Sequence, residues 1–175
     1  LKSALANRDR AGANRAVKGL LDGNAPLGPQ WRGISELMRV SGELALAHRA
    51  MDAFVAAAGR TPPALYAKVV LLTQSGRQGE AHDLLSSLPK NVPTPAGHAY
   101  VLGNIEMTLG QVDQARAHLL EAIGHQPGWG PAWLTLATTI NFANDPLADQ
   151  LLAEEAAAQS QAPGDLARYC YALGK

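Results

Sequence analysis

Residues 102–115 read LGNIEMTLGQVDQA, two glycines in a run otherwise rich in helix formers. A glycine inside a helix costs about 1 kcal/mol relative to alanine, so Gly103 and Gly110 each need a reason. Gly110 stands where a helix would stop, because glycine takes the left-handed C-terminal conformation without strain. Gly103 lies inside the preceding helical stretch. It is expected at a close crossing of two helices, with Ala115 small on the facing helix for the same reason.

The pattern around these residues recurs. Ala115 has counterparts at Ala81, Ala47 and Ala13, each 34 residues apart. Gly110 aligns with Gly76 and Gly42, and Leu119 with Leu85, Met51 and Val17. Trp133, Ala99, Leu65 and Trp31 form another column, and Pro131, Pro63 and Pro29 sit at multiples of the period. A period of this length is one supersecondary unit repeated. Each unit reads as two helices. Thr61-Pro62 and Thr94-Pro95 are expected N-caps with proline in the first turn, where its missing N–H costs nothing. Gly42, Gly76 and Gly110 end the first helix. Ala115, Leu119, Ala122 and Ile123 share one face of the second, and Pro127 marks its stop.

The bulk composition agrees with an all-α chain. The sequence has 175 residues, abundant Ala and Leu, and only 5% aromatics. Fifteen Lys and Arg balance fifteen Asp and Glu, so no field favours nucleic acid or an anionic membrane. The single cysteine, Cys170, excludes an internal disulfide framework and a cysteine metal cluster. No apolar run approaches the roughly 20 residues of a membrane span, and no signal-peptide pattern is present. The cytoplasm is therefore the default compartment. The chain opens on Leu1 rather than Met, as expected of a processed product or of a piece cut from a longer chain.

With these columns the sequence resembles the tetratricopeptide repeat (TPR) family of helix–turn–helix units. The match is best from Ala96 to Trp129, at Leu102, Gly103, Leu109, Gly110, Ala115, Leu119, Ala122 and Pro127. The next unit, 130–163, matches at Trp133, Leu136 and Ala137. It then loses one residue before Asp145-Pro146, the expected start of its second helix, and Ala148 and Leu152 restore the register. Units 28–59 and 62–89 carry Ser35 and Val69 where the family prefers Gly or Ala. Residues 1–25 read as a degenerate first unit and 166–175 as a first helix cut short, with Leu173-Gly174 in the place of Leu102-Gly103. The resemblance implies a single TPR domain over 1–175, a right-handed α-solenoid whose first helices line a concave face.

That face implies a non-catalytic module that binds a peptide or partner protein. In register, its lining is Arg32, Glu36 and Arg39; Tyr66, Val70 and Thr73; Tyr100, Asn104 and Met107; Leu134, Thr138 and Asn141; then Arg168 and Tyr171. Tyr and Arg are favoured interface residues. Asn104 stands at one position of the family's carboxylate clamp, but Tyr100 and Thr135 occupy places where Lys and Asn are needed. Apolar residues at the end of the chain would support a homodimer. The order PAWLTLATTINF, NDPLADQLL, an Ala-rich helix and DLARYCYALGK also resembles the end of the repeat region in bacterial TPR–sulfotransferase proteins. That resemblance implies a domain beyond Lys175 using 3′-phosphoadenylyl sulfate. The phosphate loop it requires is not in this sequence, so no cofactor is expected on the chain itself.

Catalytic candidates are weak. His118, Glu121 and His125 could share a helix face, yet His125 precedes Pro127 and no H-E-x-x-H occurs, so surface histidines and no metal site are expected. His48, His82 and Arg116 share a column expected to be a solvated second-helix edge. Asp9, Glu80 and Asp113 read as acidic residues at helix starts. Glu154-Glu155 are neighbours that do not face each other. Ser86-Ser87 read as a helix end, and no serine nucleophile elbow, P-loop or dinucleotide fingerprint occurs. Cys170, between Tyr169 and Tyr171, is expected to be a small buried hydrophobe. Trp129 and Trp133 are expected in packing between repeats. No active site is expected.

Overall fold

Glycine and proline set the helix ends where the 34-residue period places them. The computed structural model describes residues 1–141 and 144–174, and every regular element among them is helical. Phe142, at the end of the PAWLTLATTINF stretch, and Lys175 lie outside the described residues. In chain order the helices are α1 (Lys2–Ala6), α2 (Arg10–Asp22), α3 (Gln30–Val40), α4 (Leu44–Ala57), α5 (Pro62–Gln74) and α6 (Gln78–Ser86). They continue as α7 (Pro95–Leu109), α8 (Val112–His125), α9 (Gly130–Leu136), α10 (Leu147–Ala153), α11 (Glu155–Gln159) and α12 (Pro163–Leu173). A short 3₁₀ turn, Ala137–Thr139, comes after α9.

Three first helices end in one motif, repeated at the sequence period. Gly42, Gly76 and Gly110 take φ of +78°, +76° and +77°. Each turn is closed by a backbone N–H reaching back five residues: Glu43 to Met38 O at 2.8 Å, Arg77 to Leu72 O at 2.9 Å, and Gln111 to Glu106 O at 2.9 Å. This is the left-handed glycine ending that satisfies orphan carbonyls. The N-terminal signals are less uniform. The Thr94 hydroxyl accepts from Gly97 N–H at 3.0 Å. Thr61 occupies the same position before α5 without a side-chain bond, so there proline alone presets the first turn. Asp9 caps α2 by accepting from Gly12 N–H at 2.8 Å.

The chain forms two compact units, Leu1–Arg77 and Gln78–Lys175. The division falls between the two helices of the 62–89 repeat. In the first unit α3 packs on α4, and α4 on α2 and α5. Val17, Met38, Ala47, Met51, Val55, Ala64 and Leu71 make its core. The α3–α4 contact uses Ser35, which is 1% exposed and donates its hydroxyl to Ala47 O at 2.8 Å.

In the second unit α7 packs on α6 and α8, α8 on α9, and α9 on α12. Leu119, Ile123, Trp133, Leu136, Leu151, Tyr169 and Ala172 lie in one core. At the α7–α8 crossing Gly103 leaves no room for a side chain: a Cβ would sit 2.8 Å from Leu119 Cγ and 3.1 Å from Ala115 O. Gly130 serves the same end, since a Cβ there would run into the Asp165 carbonyl of α12.

The residue missing before Asp145 has a visible consequence. Helix α9 stops at Leu136, so Thr138 lies in the 3₁₀ turn and Asn141 lies beyond it. Neither sits on a first α-helix as the register implied. Asn and Asp in this stretch favour turns through local hydrogen bonds, and Asp145 Oδ1 accepts from Leu147 N–H at 3.1 Å to start α10. Gly174 also departs from expectation. It lies just past the end of α12, whereas Gly103 is buried within α7.

Candidate functional site

In the first unit, α3 and α5 carry matching columns of the period. Arg32 and Tyr66 are one period apart, as are Glu36 and Val70, and Arg39 and Thr73. A cleft of about 250 Å³ opens beside these helices, with Arg32, Glu36, Tyr66 and Val70 on its walls and Ser35, Met51 and Leu71 below. Arg39 Nε and Nη2 donate to the two Glu36 oxygens at 2.8 and 2.6 Å. That fork holds the Glu36 carboxyl below its usual range and raises the Arg39 guanidinium above its own. Thr73 turns its hydroxyl onto Val70 O at 2.8 Å. Burial pushes the half-buried Tyr66 phenol up, so it remains a neutral donor at neutral pH. Arg32 is exposed and has no hydrogen-bond or ion-pair partner among the described residues.

The second unit presents the next columns differently. Asn104 Nδ2 donates to Tyr100 O at 2.8 Å, and its Oδ1 accepts from the Thr135 hydroxyl at 3.2 Å. The amide at the clamp position is thus engaged within the protein. Tyr100 leans on Trp129, with ring centroids 4.8 Å apart. Met107 is half-buried against the core. The Thr138 hydroxyl donates to Thr135 O at 2.7 Å. On α12, Arg168 folds back onto Gly164 O and Asp165, while Tyr171 is 65% exposed.

One cluster is not foreseen by the sequence pattern. Glu106 is 2% exposed and shares its column with Met38 and Leu72, which are 1% and 2% exposed. His118 Nδ1 lies 2.7 Å from Glu106 Oε2, and His82 Nε2 lies 3.4 Å from Oε1. The carboxylate is therefore gripped by α6 on one side and α8 on the other. A cleft of about 370 Å³ opens over this group, lined also by Leu88, His98 and Gln114. The detectable signal is a carboxylate in a column that is apolar elsewhere. Its partners are hidden because they lie 24 and 12 residues away on other helices.

The histidine column is correspondingly not a solvated edge. His48 Nε2 meets the Ser75 hydroxyl at the end of α5 at 3.0 Å, and His82 meets Glu106. Arg116 donates to Thr139 O at 2.9 Å and to Asp145 Oδ2 at 2.8 Å. Each side chain reaches from a second helix to the end of the next first helix or the turn after it. Arg116 and the Leu147 N–H hold the Asp145 carboxyl below its usual range. His118 is likewise not a free surface histidine, whereas His125 is exposed. Among the described residues, no three His, Cys, Asp or Glu are placed to hold a metal ion.

The C-terminal helix reverses another expectation. Cys170 is exposed, and its neighbour Tyr169 is the buried residue. The phase of α12 turns Tyr169 and Ala172 to the core, leaving Cys170 a helical step off that face. The Tyr169 hydroxyl donates to Leu151 O. Burial, with Glu154 and Glu155 nearby, pushes its phenol up to about 12. Glu154 is an acceptor for structure: its Oε2 takes Gly128 N–H at 2.8 Å and Trp133 Nε1–H at 2.7 Å.

No described helix is long and apolar enough to cross a membrane. No family model matches the chain, and no curated protein matches it.

Proposed function

We propose that the chain is a module of tetratricopeptide-type repeats, an α-solenoid in class, that binds an extended peptide or partner segment in the cleft between α3 and α5. The observation that carries this reading is the state of the side chains at that cleft. Arg32 and Tyr66 face it from successive first helices with donors that no described residue occupies. In the second unit Tyr100, one period after Tyr66, leans on Trp129, and Asn104, one period after Val70, is spent on Tyr100 and Thr135. A groove that offers unspent donors above apolar side chains suits a main chain with its side chains. The three left-handed glycine turns at the 34-residue period support the repeat class.

The test is panning a random peptide library on the full chain, then measuring selected peptides by fluorescence anisotropy. Tyr66→Ala should weaken binding at least about tenfold, as truncation of an aromatic anchor does. Tyr100→Ala, in the second unit, should leave it within about twofold. Selected peptides indifferent to Tyr66→Ala would remove the cleft from consideration.

A further inference from the structure

We infer that the α3–α5 cleft selects an acidic peptide, in which a carboxylate side chain meets Arg32 and Tyr66 while a neighbouring apolar side chain fills the space above Met51 and Leu71. The inference rests on the peptide-binding reading and adds the chemistry of the occupant.

The charge balance at the cleft decides the sign. Glu36 is the one carboxylate on the lining, and both of its oxygens are held by Arg39. Lys68, on the same helix as Tyr66, is held by Asp52 at 2.6 Å. The remaining cation, Arg32, has no partner among the described residues. A cationic peptide would meet an unpaired guanidinium and could gain Glu36 only by breaking its fork with Arg39. An acidic peptide supplies what Arg32 lacks and leaves that fork intact. Guanidinium presents parallel donors that match the two oxygens of a carboxylate.

Tyr66 adds a second donor one period away on the facing wall. Besides these donors and Glu36, the cleft is lined by the apolar Met51, Pro63, Ala67, Val70 and Leu71, with Ser35, whose hydroxyl is held by Ala47 O, and Gln74 as its other polar members. Its volume of about 250 Å³ is below the roughly 300–1,000 Å³ of pockets for drug-sized ligands. It suits an apolar side chain and its neighbouring backbone.

Three labelled nonapeptides test this on the full chain: leucine alternating with glutamate, with glutamine and with lysine. Anisotropy should show the glutamate peptide binding at least about tenfold more tightly than the lysine peptide, with the preference shrinking as salt rises. Arg32→Ala should bring the two within about twofold, and Arg32→Glu should invert the order. Arg32 is exposed, so helicity by circular dichroism should match the parent. Equal or tighter binding of the lysine or glutamine peptide, lost in Tyr66→Ala, would overturn acidic selection and leave the groove standing. Failure of all three to bind would also overturn it. Library panning would then decide the fate of the groove separately.

Discussion

A methyl group at position 103 has no space to occupy. Its Cβ would lie 2.8 Å from Leu119 Cγ and 3.1 Å from the Ala115 carbonyl. The leucine can give a little, but the carbonyl belongs to a helix backbone and cannot. Gly103→Ala should therefore destabilise the protein by about 1–3 kcal/mol, against a helix-propensity gain of about 1 kcal/mol. Gly124→Ala is the control on the facing helix, because nothing lies within 4 Å of its added Cβ. It should stabilise by roughly 0.5–1 kcal/mol. Urea unfolding of both variants checks the contrast, and two changes of the same sign would contradict the close crossing. Ser35 shows a second solution in the same column. There a hydroxyl bonds the Ala47 carbonyl, so its extra atoms are spent on the contact that Gly103 achieves by having none.

At the scale of helices, three second helices, α4, α6 and α8, are tied to the neighbouring repeat by a side chain of one column: His48 to Ser75, His82 to Glu106, and Arg116 to Asp145. Glu106 is the most buried of these acceptors. Removing one partner of a buried carboxylate costs more than replacing the group by an apolar one, and Leu72 shows that leucine suits this column. His118→Ala should destabilise by about 1–3 kcal/mol. Glu106→Leu should cost less, and adding it to His118→Ala should recover stability. Urea midpoints of the four chains give the coupling; simple additivity would mean that the 2.7 Å contact contributes nothing.

The glycine turns are readable in the sequence because a left-handed residue restricts its own position. Helix pairing is readable because small residues recur at one period. The Glu106 cluster is not, since it depends on which faces of α6 and α8 turn to α7. Cys170 misleads for a related reason. An aromatic neighbourhood suggests burial, but the phase of α12 decides which of 169 and 170 points inward. At the cleft, the sequence places Arg32, Glu36, Tyr66 and Val70 together, but that Glu36 is engaged and Arg32 unpaired among the described residues depends on rotamers.

Across the whole molecule, stability resides in two cores, one within Leu1–Arg77 and one within Gln78–Lys175. Tyr169 belongs to the second, is 0% exposed, and donates to Leu151 O. Its phenol is raised to about 12 by burial and by Glu154 and Glu155, against about 10 in an unfolded chain. A raised pKa means that the folded state holds the proton more tightly. The stabilisation is complete below about pH 10 and is lost as pH rises toward 12. Tyr169→Phe cannot ionise, but it takes the phenol donor from the Leu151 carbonyl and leaves it the longer bond from Glu154 N–H at 3.4 Å, a cost of about 1–3 kcal/mol near pH 8. The advantage of the parent over this variant should shrink by about 2 kcal/mol between pH 9 and 12. Tyr66, also raised by burial, titrates in both chains and cancels in the difference. Urea titrations followed by circular dichroism at a series of alkaline pH values measure that gap. A gap constant with pH would show that Tyr169 does not carry its proton into the second core.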